Sequence, residues 1–288
     1  MMLLIQPFLS NARSASSQQP QPKSFKAWCL QRNFVPADTR HTIDILLEKA
    51  GTNNCKQADA KLRSLTSLNL ENNKIVDIKP LVGLTKLTSL NLESNKIVDI
   101  NPLAGLTNLT WLELTNNKIL DINPLAGLTN LNDLYFASNQ IVDLKPLGGL
   151  TNLTLLNLHG NKIVDVKPLA GLTKLTGIDL RSNQIVDIKP LAGLTNLTYL
   201  FLDSNKIVDI KPLASLTNLT LLRLKSNEIV DVKPLAGLTK LNDLFLNSNQ
   251  IVDVKPLAGL TKLYDLDLRS NQIAVKTCPV KPASICEF

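Results

Sequence analysis

A 22-residue repeat without insertions dominates the sequence and most constrains its fold. Units begin at Leu65, Leu87 and every 22 residues thereafter; nine are complete, and a tenth, from Leu263, loses the pattern at Ala274. Repeats with a period of 20–50 residues are typical of solenoids, in which each unit packs only on its neighbours. We therefore expect residues 65–275 to form one elongated array.

Each unit follows the pattern L-T-x-L-x-L-x-x-N-x-I-V-D-I-x-P-L-A-G-L-T-x. The alternation in L-x-L predicts a short strand with leucines turned inward, and strands from successive units would stack as a parallel sheet. The Pro-Leu-Ala-Gly-Leu segment is too short for a full helix, so we expect a 3₁₀ turn opened by Pro80 and its equivalents. The unit contains the leucine-rich-repeat signature, which predicts an α/β solenoid: a horseshoe with a concave parallel β-sheet and convex 3₁₀ turns.

One asparagine follows every predicted strand at the same position of the repeat. Its side-chain amide can bond backbone groups that a tight turn leaves unpaired. We predict this structural role for Asn73, Asn95, Asn117, Asn139, Asn161, Asn183, Asn205, Asn227, Asn249 and Asn271.

The 22-residue unit and its D-I-x-P-L-x-x-L-T-x-L tail resemble the internalin type of bacterial leucine-rich repeat, and also the leucine-rich-repeat subunit of a eukaryotic protein phosphatase. The resemblance spans residues 29–275. It implies a curved solenoid that binds protein or glycan ligands on its concave side, commonly outside the cell.

Both ends of the array need caps, because an open end would expose the core. Residues 23–64 are predicted to form a helical N-terminal cap, with Asp38 or Thr39 as the N-cap of a helix that stops at Gly51. Residues 276–288 form a C-terminal cap. Residues 1–22 begin with an apolar stretch and fit a secretory leader, although a disordered leader fits them too.

The four cysteines lie in the two predicted caps. Ten strands at about 4.8 Å separate the ends of the array by roughly 40 Å, whereas a disulfide needs Cα atoms about 4.4 to 6.8 Å apart. Disulfides between the two caps are therefore excluded, and the predicted disulfides are Cys29 with Cys55 and Cys278 with Cys286. Free thiols or a metal site remain alternatives, although the cysteine spacing matches no zinc pattern.

Charge and composition argue against several classes of function. The formal net charge is +7, but outside residues 1–60 and 276–288 it is only +3 (22 Lys/Arg against 19 Asp/Glu), so no basic stripe for nucleic acid is expected. No apolar run is long enough to span a membrane. His159 is the only histidine in the array and has no catalytic or metal-binding partner, so we predict no enzyme activity, cofactor or metal site.

Three outward-facing positions on or just after the strand vary between units, whereas the framework barely changes. Apolar side chains there gain no burial from the fold itself, so they are candidate anchors for a partner. Arg223 lies between Phe201 and Phe245. The predicted partner-binding residues are Trp111, Tyr135, Leu155, Tyr199, Phe201, Leu221, Arg223 and Phe245.

These features predict a monomeric, non-enzymatic binding module, secreted or periplasmic, that recognises a protein or glycan through its concave sheet. The alternative is a cytoplasmic regulatory scaffold resembling the phosphatase subunit. Reduced thiols and an uncleaved leader would favour that alternative.

Overall fold

A computed structural model describes residues 22–288, so most of the predicted leader, residues 1–22, lies outside the described part. Within residues 22–288, eleven short strands form one parallel sheet in strict chain order. Its strands are β1 (Ser67–Asn69), β2 (Ser89–Asn91), β3 (Trp111–Glu113), β4 (Asp133–Tyr135), β5 (Leu155–Asn157), β6 (Gly177–Asp179), β7 (Tyr199–Phe201), β8 (Leu221–Arg223), β9 (Asp243–Phe245), β10 (Asp265–Asp267) and β11 (Cys286–Glu287).

Register across the array follows the sequence period, so each residue of β1–β10 pairs with its equivalent 22 residues away. Seven apolar side chains per unit point inward. In the third unit they are at most 1 % exposed: Leu109, Leu112, Leu114, Ile119, Ile122, Leu125 and Leu128. The core is therefore a continuous stack of closely similar layers, aliphatic except for Phe136, as the predicted leucine-rich-repeat solenoid requires.

Each unit returns through one 3₁₀ turn with proline at its start, such as Lys79–Leu81 or Asn123–Leu125. Strands stack at about 4.8 Å, and the bulkier turns occupy the opposite side, which places the sheet on the concave face. The aspartate before each turn accepts the backbone N–H of the turn's first residue; Asp165 Oδ1 and Lys167 N are 2.9 Å apart. That aspartate row therefore helps to fold the return segment.

The repeated asparagine links adjacent units inside the solenoid. Asn161 Nδ2 donates to the carbonyl oxygens of Phe136 and Leu158 at 3.0 Å, and its Oδ1 accepts the Ile141 N–H. The same bonds recur from Asn95 to Asn271. Asn73 has no preceding unit, so it is less buried and donates only to the Glu71 carbonyl.

The residue before this asparagine has a positive φ in every unit, for example 55° at Ser204 and 67° at Gly160. Left-handed backbone costs an ordinary L-residue roughly 1–2 kcal/mol. Glycine and asparagine, which tolerate that conformation comparatively well, occupy this position in three units, and serine occupies it in the other seven.

The N-terminal cap consists of three helices, α1 (Phe25–Leu30), α2 (Ala37–Ala50) and α3 (Cys55–Leu62). Helix α2 ends at Gly51, whose φ is 65°, as predicted. The predicted N-cap was wrong: Pro36 holds that position, two or three residues earlier. Thr39 is buried instead, and its hydroxyl donates to Asp77 Oδ2 at 2.6 Å, which fixes α2 across the first unit.

Both predicted disulfides are present, Cys29 with Cys55 and Cys278 with Cys286. The first joins α1 to the start of α3. The second folds the tail back so that β11 pairs with β10, adding a strand that the sequence pattern does not predict. Arg269 reinforces this closure with ion pairs to Asp267 at 2.7 Å and Glu287 at 2.9 Å.

Candidate partner-binding site

The concave sheet carries the eight predicted partner-binding side chains, and each of them is half-buried. Near the N-terminal end, the rings of Trp111 and Tyr135 lie 5.9 Å apart with their planes tilted by 51°. Aromatic pairs in this range attract each other beyond their burial. Strand pairing places Asp133 beside Trp111, and Tyr135 beside Glu113.

Farther along the sheet, arginines and phenylalanines alternate. The guanidinium carbon of Arg223 lies 5.9 Å from the Phe201 ring centre and 4.9 Å from that of Phe245. The guanidinium carbon of Arg181 lies 5.2 Å from the Phe201 ring centre. Cations this close to an aromatic ring are attracted to its face. We call Arg181, Phe201, Arg223 and Phe245 the arginine–phenylalanine ladder.

Buried carboxylates hold the arginines of the ladder in place. Asp179 binds Arg181 through Nε and Nη2, with a shortest distance of 2.6 Å. Asp203 Oδ2 accepts Arg223 Nε at 2.8 Å. Both aspartates are at most 6 % exposed. Both occupy positions that the sequence pattern turns outward, so their role in holding the arginines was missed from the sequence. The available signal was an acidic residue near each arginine: two residues before Arg181, and one strand away from Arg223.

Tyr199 connects the two groups of aromatic residues. A Cβ atom added to Gly177 would lie 1.8 Å from the Tyr199 ring, so the ring lies across β6 in the space that this glycine leaves. Its other neighbour is Phe201, with ring centres 5.4 Å apart. Burial raises the pKa of the Tyr199 phenol, and nearby Tyr135 and Asp133 raise it further. The two predicted clusters therefore form one continuous strip.

The carboxyl of Glu113, next to the Trp111 and Tyr135 rings, has a raised pKa. Burial raises its pKa, and the charge of Glu93 adds to that effect, against the opposing hydrogen bonds from Thr115 and Leu114. The pKa of Tyr135 is raised as well, by burial and then by Asp133 and Glu113. Glu113 and Tyr135 therefore lie in a negative, partly dry environment.

A second exposed apolar feature runs along the outer surface, between the asparagine turn and the 3₁₀ turn. It consists of one apolar side chain from each of the second to ninth units, and each side chain is 45–57 % exposed. We call it the valine row: Val98, Leu120, Val142, Val164, Val186, Val208, Val230 and Val252. Because nearly every unit presents the same side chain, the row has little variation from which to build a specific site.

The described chain, residues 22–288, contains no group of three His, Cys, Asp or Glu side chains arranged to hold a metal ion. His159 follows β5 on the concave side, and its backbone N–H donates to Asn157 Oδ1. None of the helices in this part of the chain is long and apolar enough to cross a membrane.

The fold and its varied concave surface define the class as a leucine-rich-repeat solenoid. A profile of paired leucine-rich repeats, "Leucine Rich repeats (2 copies)", matches seven segments: 63–105, 107–149, 130–171, 151–193, 173–215, 195–237 and 217–259. No curated relative matches the chain at the level of sequence.

Solved structures narrow the class to a family. An internalin (inlF) of Listeria monocytogenes is 37 % identical, with a TM-score of 0.78 over 85 % of this chain and 72 % of that one. Internalin C2 of the same organism is 39 % identical, with a TM-score of 0.66 over 73 % of this chain and 91 % of that one. The chain belongs to the internalin family of bacterial leucine-rich-repeat proteins.

A more distant match shares the solenoid. The leucine-rich-repeat ectodomain of the Arabidopsis thaliana receptor kinase GASSHO1/SCHENGEN3, solved in complex with CASPARIAN STRIP INTEGRITY FACTOR 2, is 29 % identical, with a TM-score of 0.66. The match covers 74 % of this chain and 28 % of that one.

Proposed function

We propose that this chain is a non-enzymatic module, acting as a monomer, that binds a protein partner through its concave sheet. The observation that carries the proposal is the arginine–phenylalanine ladder. Its side chains are half-buried without a partner, and two buried aspartates fix their orientation. Arginine and aromatic side chains held rigidly are the residues that most often dominate binding energy at protein interfaces.

The proposed location is an oxidising compartment, either the periplasm or the medium. Disulfides persist mainly in such compartments, and this chain closes one at each end of the solenoid. The same bonds weigh against a cytoplasmic scaffold. The receptor ectodomain bound to its factor supports the use of this fold for protein recognition outside a cytoplasm.

Paired photo-cross-linking variants test the proposed surface. A photoreactive phenylalanine analogue at Leu221, beside the ladder on β8, should yield a covalent adduct with a partner protein from extracellular material. The same analogue at Val230, in the valine row, should yield none. Purified oligosaccharides can be tested in parallel; capture of a glycan with no protein adduct would contradict the proposal.

The ladder itself is tested by substitution. Replacing Phe201 and Arg223 by Ala should lower the yield of the Leu221 adduct at least tenfold. The matched control, Val208→Ser with Val230→Ser, should keep the yield of wild type. Circular dichroism and the melting temperature must show that both variants are folded. Undiminished adduct in the ladder variant, or its loss in the valine-row variant, would overturn the assignment.

A further inference from the structure

Acidic side chains on the concave sheet differ in whether they are paired. The buried carboxylates Asp179, Asp203 and Asp267 each form an ion pair with an arginine of this chain, whereas Asp243 and Asp265, near the C-terminal end, form none within residues 22–288. In the N-terminal half, the charged outward side chains of the first four units are all acidic: Glu71, Glu93, Glu113 and Asp133. None of these four forms an ion pair within residues 22–288.

Trp111, Glu113, Asp133 and Tyr135 form a square on β3 and β4, which we call the four-residue block. The two rings occupy one diagonal, 5.9 Å apart, and the two carboxylates occupy the other. A cation above the block would meet an aromatic face and a carboxylate on either side. Such an arrangement combines cation–π attraction with a charge-assisted hydrogen bond.

The carboxylates of the block are positioned by neutral donors. Glu113 Oε1 accepts the Thr115 N–H at 2.7 Å, and Asp133 Oδ1 accepts the Thr154 hydroxyl at 3.0 Å. These bonds orient the oxygens without neutralising their charge. The five lysines of the first three units, Lys74, Lys79, Lys86, Lys96 and Lys118, lie outside the strands and are exposed, and none forms an ion pair with a carboxylate of the block.

We propose that the four-residue block binds a lysine or arginine side chain from a basic segment of the partner protein. The inference rests on the proposed function, since it names the chemistry of part of the partner. It adds a direction to the complex: the basic segment lies over β3 and β4, and the rest of the partner extends toward the ladder. Since the whole chain is formally +7, attraction of a cationic peptide must arise from local charge.

The test uses a fluorescein-labelled (Gly-Lys)₄ peptide with blocked ends and the full-length protein, with binding followed by fluorescence anisotropy at low ionic strength. The wild-type protein should bind it and should not bind (Gly-Glu)₄. An unlabelled peptide should change the fluorescence of Trp111; the only other tryptophan, Trp28, is 6 % exposed in the N-terminal cap. Added salt should weaken binding, because the contacts are partly exposed.

Two variants with equal changes in charge make the test specific. Glu113→Gln with Asp133→Asn keeps the shape of the block and should weaken (Gly-Lys)₄ binding at least tenfold. Glu48→Gln with Glu228→Gln removes two exposed carboxylates elsewhere and should change the affinity less than twofold. Equal weakening in both variants, or no binding of (Gly-Lys)₄ by wild type at millimolar concentration, would overturn the inference.

Failure of this inference is distinguishable from failure of the proposed function. The Phe201→Ala, Arg223→Ala variant should bind (Gly-Lys)₄ as wild type does, because the block is intact in it. If the Leu221 adduct forms and depends on the ladder while the peptide does not bind, only the basic-segment inference fails. If the peptide binds the block but no protein adduct forms, only the proposed function fails.

Discussion

At the scale of single residues, Glu113 on the concave face carries a charge that works against folding. Glu113 is half-buried with its pKa raised by burial and by Glu93, so its negative charge opposes folding at neutral pH. Natural proteins tolerate such costs mainly where a group has a role in binding. The perturbation thus agrees with a function for Glu113 outside folding.

Replacing Glu113 by Gln should stabilise the protein at pH 7 by about 1 to 3 °C in melting temperature. The carboxyl's folded pKa lies above its ordinary value of 4.5, so the native state holds more protons than the unfolded state in that window. Stability of wild type therefore falls as pH rises from 4.5 through the raised pKa. The advantage of the variant should grow over the same range, and thermal melts from pH 4 to pH 8 measure it.

Glu228→Gln is the control for that experiment, because it removes one exposed carboxylate from the outer surface. A stabilisation of Glu113→Gln that is the same at pH 4 and pH 8 would show that burial of charge is not its cause.

Which residues lie on the concave face could be predicted from the alternation of L-x-L, but their mutual support could not. The pattern turns Asp179 and Asp203 outward, yet both are buried beneath arginines, within 3 Å of Arg181 two residues along the chain and of Arg223 on the next strand. Gly177 looks like a gap in the array, whereas its missing side chain accommodates the Tyr199 ring. Such contacts depend on rotamers of neighbouring strands, which a repeat pattern does not specify.

At the scale of the repeat element, side-chain amides and carboxylates complete the backbone hydrogen bonding. The asparagine after each strand satisfies buried groups of two units, and the aspartate before each 3₁₀ turn caps that turn. The strand, the asparagine and the 3₁₀ turn could be predicted because each has its own local signal. The role of the capping aspartate could not be predicted from the repeat pattern, and only the structure shows that it accepts a backbone N–H.

Asn205→Ala should destabilise the protein by about 3 to 5 kcal/mol. Asn205 donates to the carbonyl oxygens of Leu180 and Leu202 and accepts the Ile185 N–H, all buried. Each buried group left without a partner costs about 1–3 kcal/mol. Chemical denaturation of wild type and variant measures the difference.

Asn196→Ala, in the neighbouring unit, is a matched control. Its side chain donates one exposed hydrogen bond, to the Thr173 carbonyl at 2.8 Å, so its loss should cost less than about 1 kcal/mol. Similar losses for the two substitutions would mean that burial of the Asn205 bonds does not determine their contribution.

On the scale of the whole molecule, the strands of the array could be predicted from the sequence period, whereas parts of the two caps could not. The 22-residue period predicts every strand from β1 to β10, because each unit repeats the same contacts. The caps contain no repeat, so the start of α2 and the existence of β11 could not be read in the same way. Both caps contact an end of the array through residues outside the repeat pattern, Thr39 with Asp77 and Cys286 with Leu266.

Deletion of one whole unit separates folding from binding. Removing residues 87–108 joins Lys86 to Leu109, and removing residues 197–218 joins Asn196 to Leu219. Both deletions keep the period and both caps, and interior units contribute similarly to the stability of a solenoid. We therefore expect the two shortened proteins to fold, with melting temperatures within about 5 °C of each other.

Capture of the partner should differ between them. Deletion of residues 197–218 removes Tyr199 and Phe201 and brings Arg181 next to Arg223 with no ring between them, so the Leu221 adduct should be lost. Deletion of residues 87–108 leaves the ladder intact and should retain it. Loss of the adduct from both folded proteins would mean that recognition depends on the length or curvature of the whole sheet, since the ladder is unchanged in one of them.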